Sequence, residues 1–158
     1  MEEINFGKIF NYPIDNLCLN DCYHCPNNIK SIKFGNEFNQ FVNKLPNSLE
    51  RIIFGEKFNQ SIDFLPNSVR YISFDWICDF NQPIYKLPYS LEEIYFGNKF
   101  SNVICKLPDG LKKITLGTNF DKPIIIPKNL EKIKLPIQYK FLNIIKLISN
   151  KYVIKELY

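Results

Sequence analysis

Apolar and polar residues alternate in short bursts along this chain, and the bursts return about every twenty residues. Ile-x-Phe or Ile-x-Leu recurs as Ile4/Phe6, Ile32/Phe34, Ile52/Phe54, Ile72/Phe74, Ile94/Phe96, Ile114/Leu116 and Ile133/Leu135. A spacing of two puts both side chains of a pair on one face of a strand. Gly follows at Gly7, Gly35, Gly55, Gly97 and Gly117, with Asp75 and Pro136 as the exceptions. A second Phe comes four residues after the first position, at Phe10, Phe38, Phe58, Phe100 and Phe120, and six after it at Phe80. Asn11, Asn39, Asn59 and Asn81 come next, replaced by Ser101 and Asp121 in the later copies. Leu-Pro or an equivalent recurs at Pro26, Pro46, Pro66, Pro88, Pro108 and Pro127, at spacings of 20, 20, 22, 20 and 19.

This period is too short for paired-helix repeats, at about 33 residues, or propeller blades, at about 40, and matches the short end of leucine-rich repeats. It predicts a β-rich, leucine-rich-repeat-like solenoid with a parallel sheet of about six or seven short strands and little helix except a C-terminal cap. Leu49, Ile52 and Phe54 should face inward, and Phe58 should re-enter the core as part of a stack of rings. Gly55 should end its strand either because the turn needs φ > 0 or because backbones approach closely there. Asn59 is placed to satisfy turn backbone groups of neighbouring coils. Val103-Ile104-Cys105 and Ile124-Ile125-Ile126 are candidates for a second short strand per coil. The chain divides as one solenoid domain: a partial repeat at 1–16, an irregular Cys-rich segment at 17–25, repeats over 26–136 and a cap over 137–158. Within the cap, Phe141, Ile144, Ile145 and Ile148 have helix spacing, so a capping helix is expected at about 138–150.

Leu45-Pro46-Asn47-Ser48-Leu49, Phe54-Gly55 and Phe58-Asn59-Gln60 resemble the FNIP repeats of amoebae and giant DNA viruses, which are similar to leucine-rich repeats. The fullest copy runs from Leu87-Pro88 through Ile94, Phe96-Gly97 and Phe100, and the resemblance covers about residues 4–135. It implies a repeat solenoid. Family members often carry an N-terminal F-box, which would imply a ubiquitin-ligase adaptor; the first repeat motif here begins at Ile4, so no F-box is expected in this chain.

Composition narrows the reading further. Of 158 residues, 46% are apolar and 23% charged, which excludes a disordered or fibrous chain. There is no Ala, which argues against a helical bundle. No run of about 18 apolar residues exists and the first residues are acidic, so neither a membrane span nor a secretory leader is expected, and the protein is expected to be intracellular and cytoplasmic (host cytoplasm if viral). Residues 1–110 hold 10 basic and 13 acidic side chains, whereas 111–158 hold 10 Lys and 3 acids. The C-terminal end should therefore be electropositive, with Lys112, Lys113, Lys128, Lys132 and Lys134 crowding one edge, able to meet an acidic surface or a nucleic acid. Codon-biased Lys on a solvated face is the competing reading.

Candidate chemistry is sparse. Cys18, Cys22, His24 and Cys25 have the ligand types of a zinc site, but structural sites join ligand pairs from separate segments, so we expect thiols, with no metal and no cofactor. The only His is His24, and no nucleotide-binding glycine motif occurs, so the chain is not expected to be an enzyme. The outward strand residues instead form a candidate surface for another protein. Its centre is Arg51, Ile53, Tyr71 and Tyr95, with Lys113 at its border, because Tyr and Arg are enriched at interface centres. Trp76, in the longer segment Asp75–Asp79, either joins that surface or folds back over its coil. Nucleic-acid binding through the Lys-rich end lacks Arg, and a structural, virion-associated role through stacked solenoid ends is the remaining alternative.

Overall fold

The computed structural model describes residues 2–14 and 28–141. Seven short strands, β1 (Glu2–Asn5), β2 (Ile29–Lys33), β3 (Arg51–Phe54), β4 (Tyr71–Phe74), β5 (Glu93–Tyr95), β6 (Lys113–Thr115) and β7 (Lys132–Lys134), form one parallel sheet in sequence order. No helix occurs among the described residues. The register repeats without slip from coil to coil, with Ile32, Ile52, Ile72, Ile94, Ile114 and Ile133 side by side. Only at β1–β2 does the pairing shift, between Glu2 and Glu3. Parallel strands need crossovers, and from β2 onward each crossover is the return leg of one coil.

The inward positions make one continuous core. Ile52, Phe54, Phe58, Leu49 and Ile62 are buried in one coil, and their equivalents are buried in the next. The two Phe of each coil lie face to face, 3.9 Å apart between ring centroids for Phe54 and Phe58 and 4.2 Å for Phe96 and Phe100. Rings at the same repeat position in successive coils stack at 5.2 Å (Phe54–Phe74) to 6.2 Å (Phe38–Phe58). These separations suit offset stacking and follow from the strand spacing of about 4.8 Å.

The glycine alternatives resolve in favour of close approach. No residue with φ > 0 occurs among those described. An added Cβ on Gly55 would sit 2.6 Å from the carbonyl carbon of Gly35, and Gly35, Gly97 and Gly117 meet the backbone of the preceding coil in the same way. Asp75 occupies this phase in the one coil with two extra residues. There Trp76 and Ile77 bulge outward, while Cys78 turns into the core and its thiol donates to Gly55 O at 3.0 Å. Burial pushes that thiol up to about 12.

The Asn positions form the expected ladder. Asn39 N–H donates to Asn11 Oδ1 (2.8 Å), Asn59 N–H to Asn39 Oδ1 (2.9 Å), Asn81 N–H to Asn59 Oδ1 (2.9 Å) and Ser101 N–H to Asn81 Oδ1 (2.9 Å). Gln40, Gln60 and Gln82 bond the same Asn residues from the following position. Because Asn39 Oδ1 satisfies a backbone N–H of the next coil, Asn39→Ala should cost about 1–3 kcal/mol in denaturant unfolding. Asn39→Asp, which keeps the acceptor, should recover most of that loss; equal losses for the two would show that the ladder oxygen is not what matters.

Two expectations need correction. Residues 138–141, the start of the expected cap helix, are coil and turn. Tyr139 continues the repeat instead: it lies four residues after Leu135, is buried, stacks on Phe120 at 5.9 Å and donates its hydroxyl to Lys122 O at 2.7 Å. The aromatic column thus extends past residue 136, and the remainder of the helix prediction lies outside the described residues. The second strand reduces to one parallel bridge between Ile84 and Ile104. Residues 124–126 form no strand, and Ile125 is exposed.

Candidate partner-binding face

Strand alternation turns every second side chain of the sheet outward, and the parallel register lines these up in two columns. One column reads Glu3, Ser31, Arg51, Tyr71, Glu93, Lys113, Lys132; the other reads Asn5, Lys33, Ile53, Ser73, Tyr95, Thr115, Lys134. Ser31 departs from the expected exposure. It is buried, and its hydroxyl has no hydrogen-bond partner among the described residues.

The centre of the face is linked from coil to coil. The Arg51 guanidinium lies 3.6 Å above the Tyr71 ring. Tyr71 packs against Tyr95 with 5.4 Å between centroids. The Tyr95 hydroxyl donates to Glu93 at 2.7 Å, and Lys113 donates to the other Glu93 oxygen at 2.7 Å. The hydrogen bond from Lys113 is the main reason Glu93 titrates below the ordinary carboxylate range. Burial, then the bond to Glu93, pushes the Tyr95 phenol up to about 12. Arg51, Tyr71, Tyr95 and Lys113 are thus brought together, half-buried, across four adjacent strands, with Ile53 beside them. Trp76 sits apart, beyond the end of β4. It is 45% exposed and lines a narrow crevice with Thr115, Thr118, Lys134 and Pro136. Thr115 and Lys134 continue the Tyr95 column, so the crevice borders the face. Cys18, Cys22, His24 and Cys25 lie outside the described residues.

Along the residues just preceding the outward columns runs a feature that the halves of the sequence conceal. Lys30, Glu50, Arg70, Glu92, Lys112 and Glu131 occupy one phase, and their backbones bond in series from Glu50 N–H to Lys30 O through Glu131 N–H to Lys112 O. Their signs alternate. Lys30 pairs with Glu50 at 2.6 Å, Arg70 with Glu92, and Lys112 with the other Glu92 oxygen at 2.7 Å. These side chains line an open groove of about 490 Å³ with Ser48, Ser68 and Tyr89. The expected crowding of same-phase Lys is therefore relieved within the chain at Lys112 and Lys113, each matched by an acid of the preceding coil. Lys122 and Lys140 likewise meet Asp121, at 3.1 Å and 3.6 Å.

This ladder predicts acid sensitivity. The hydrogen bond from Lys30 holds Glu50 below the ordinary glutamate value of 4.5, and hydrogen bonds from Lys112 and then Arg70 do the same for Glu92. A carboxylate with a depressed folded value contributes stability that is present above its unfolded value and lost as pH falls through the folded one. Melting temperature should hold between about pH 7 and 5 and decline below about 4.5, and Glu92→Gln should flatten that decline. An identical acid profile in the variant would remove the ladder from the explanation.

The architecture, a parallel-stranded solenoid of roughly twenty-residue coils with ringed Phe and stacked Gly, defines a leucine-rich-repeat-like protein. Residues 41–76 and 101–138 match the family model of the FNIP repeat, and these segments are FNIP repeats. The coil between them keeps the same register. Among solved structures the chain is similar to that of CroV588, a giant-virus protein described as a novel circular leucine-rich-repeat structure, with 37% identity and a TM-score of 0.66. The likeness covers 72% of this chain and 18% of that one, so the chain spans under a fifth of its neighbour's length. No curated protein matches the sequence.

Proposed function

We propose that the chain is a non-enzymatic protein–protein interaction module that takes a partner protein on the exposed strand face. The observation that carries this is the linked run Arg51, Tyr71, Tyr95, Glu93 and Lys113 across four coils. Rotamer-rich side chains normally lose freedom on binding, and here stacking and hydrogen bonds already hold them, which lowers the cost of association. Tyr and Arg are, with Trp, the residues most enriched among binding hot spots. Solenoids of stacked repeats commonly bind through such extended faces. The chemistry of the described residues points the same way: Glu50, Glu92 and Glu93 are engaged by cations, and the Cys78 thiol is buried and protonated, so these groups serve the coil.

A pull-down from the native cell tests this reading. Arg51→Ala with Tyr71→Ala and Tyr95→Ala should abolish capture of the partner, each truncation weakening it by about tenfold or more, while circular dichroism still reports a folded chain. A partner retained in full by the triple variant overturns the strand face as the binding surface.

A further inference from the structure

We infer that the chain carries a second docking site, a groove across the legs that lead into β5 and β6, and that it takes a proline-rich segment of another protein carrying an acidic residue. The site lies away from the strand face, and the inference stands independently of that reading.

It starts from a glycine that the coil does not need. Gly110 alone among the six lies outside the stacking phase. A Cβ there would meet nothing closer than 3.7 Å, and its φ is not positive. At the same place, two residues after the repeat proline, other coils hold Ser48, Ser68, Ser90 and Asn129. The Ser48 and Ser68 hydroxyls donate to Ile29 O at 2.9 Å and Leu49 O at 2.7 Å of the preceding coil. Gly110 forgoes such a bond, and what it leaves is space. Together with Tyr89 it borders both the groove of the charged ladder and a second groove of about 310 Å³.

The second groove is lined by aromatic rings and hydrogen-bond donors. Tyr85 and Tyr89 are 65% and 72% exposed. Tyr71, Tyr95 and Tyr139 are tied into the coils by ring stacking or hydroxyl bonds, whereas neither the ring nor the hydroxyl of Tyr85 or Tyr89 is so engaged among the described residues. Lys86 and Lys106 share one phase, two residues beyond the bridged pair Ile84 and Ile104, so they lie side by side at about the strand spacing of 4.8 Å. Lys30, Lys99, Lys112 and Lys113 each meet an acid of an adjoining coil, but Lys86 and Lys106 form no ion pair among the described residues. One acid, Asp109, lines the groove against these two cations.

A polyproline II segment complements this lining. Its prolines have no N–H, its carbonyls are unpaired acceptors, and its rings pack into aromatic-lined grooves at little cost in entropy. The ammonium groups of Lys86 and Lys106 and the hydroxyls of Tyr85 and Tyr89 supply donors, and the space at Gly110, beside Tyr89 and Pro108, admits a proline ring. A carboxylate on the ligand, set between Lys86 and Lys106, relieves their mutual repulsion. An added β-strand has no edge to join here, because Ile84 N–H already donates to Val103 O and Cys105 N–H to Ile84 O, both at 2.9 Å. A single-stranded nucleic acid would stack on the rings but needs a continued track of cations. Phe64, 69% exposed, holds the lysine phase in the coil before Lys86, and Asp109 lies in the groove itself.

The test is selection on the full immobilised chain from two phage libraries of peptides about ten residues long, one random and one with a fixed Pro-x-x-Pro core. Binding of the recovered peptides is then measured by fluorescence anisotropy. The Pro-x-x-Pro library should enrich, with Asp or Glu recurring beside the core. Gly110→Asn, which imports the residue that the same phase holds at Asn129, should weaken these peptides at least about tenfold by filling the space for the proline ring, with the melting temperature retained. Lys86→Glu with Lys106→Glu should weaken them by at least about tenfold as well, and because both side chains are exposed this variant reports even where Gly110→Asn disturbs the coil. Peptides lost with Arg51→Ala but indifferent to Gly110→Asn and to the Lys changes bind the strand face and would overturn this site. Proline-free peptides that respond to Gly110→Asn would overturn the polyproline ligand, and no enrichment from either library would overturn the site altogether. Oligouridine that displaces every selected peptide would overturn the proposal in favour of a nucleic acid.

Discussion

Phe54→Ala should lose about 3–5 kcal/mol of stability, the largest effect expected of a single truncation in this chain. Phe54 is fully buried, and its ring contacts rings of three coils: Phe34 at 5.7 Å, Phe58 at 3.9 Å and Phe74 at 5.2 Å. The void left behind could close only if coils moved together. They are held apart by strand hydrogen bonds such as Phe34 N–H to Ile53 O and Asp75 N–H to Phe54 O, both 2.9 Å. The transfer term and the cavity term therefore both apply. Guanidinium unfolding followed by circular dichroism measures the loss. Phe41→Ala is the matched control, since Phe41 is 64% exposed and should change stability by no more than about 0.5 kcal/mol. Similar midpoints for the two variants would mean that the ring stack does not hold the coils together.

Gly55→Ala should also be severe, costing about 3 kcal/mol, the upper end of ordinary overpacking. The atoms an added methyl would meet are backbone: the carbonyl carbon of Gly35 at 2.6 Å and the Cα of Asn36 at 2.8 Å. A side chain could rotate away, but the backbone of a neighbouring coil moves only if the sheet register moves with it. Gly110 supplies the contrast. The atoms nearest to a Cβ there are Tyr89 O at 3.7 Å and Leu91 O at 3.9 Å, which is ordinary contact, and its φ is not positive. Gly110→Ala should therefore be neutral or stabilising, by up to about 1 kcal/mol, through a less flexible unfolded chain. Thermal melts of the two variants side by side decide the matter. A Gly55→Ala protein as stable as the parent would mean that coil spacing at the glycines is looser than the backbone contacts require.

Partner identity is a separate matter from fold. The FNIP repeats and the likeness to CroV588 define what the chain is built from. The strand face proposed as the binding surface rests on this chain's own outward residues, which differ from coil to coil at the same register position. Ile53, Ser73, Tyr95 and Thr115 share one register position and have little in common except that none carries charge.

The sequence by itself determined whatever depends on neighbours two or four residues away. Alternation at Ile52-Ile53-Phe54 specified which side of the strand is buried, because a strand turns successive side chains to opposite faces. Recurrence at about twenty residues specified parallel stacking, because equal coils bring equal phases together. Asn59 was legible as a turn residue for the same reason. The alternating column Lys30, Glu50, Arg70, Glu92, Lys112, Glu131 was equally present in the repeat phase, but charges summed over halves of the chain hide it; charges read phase by phase reveal it. Tyr139 was masked by the helix-like spacing that follows, although its offset of four from Leu135 is that of every earlier Phe pair but one. The tertiary structure alone decided the rest. Whether Gly55 answers a need for φ > 0 or for close approach depends on how near the Gly35 backbone comes. That Ser31 is buried, that Arg51 lies on Tyr71, and that Glu93 is shared by Tyr95 and Lys113 depend on rotamers chosen between coils about twenty residues apart. A sequence pattern names the neighbours across a sheet, but the packing of the whole layer selects which of their side chains touch.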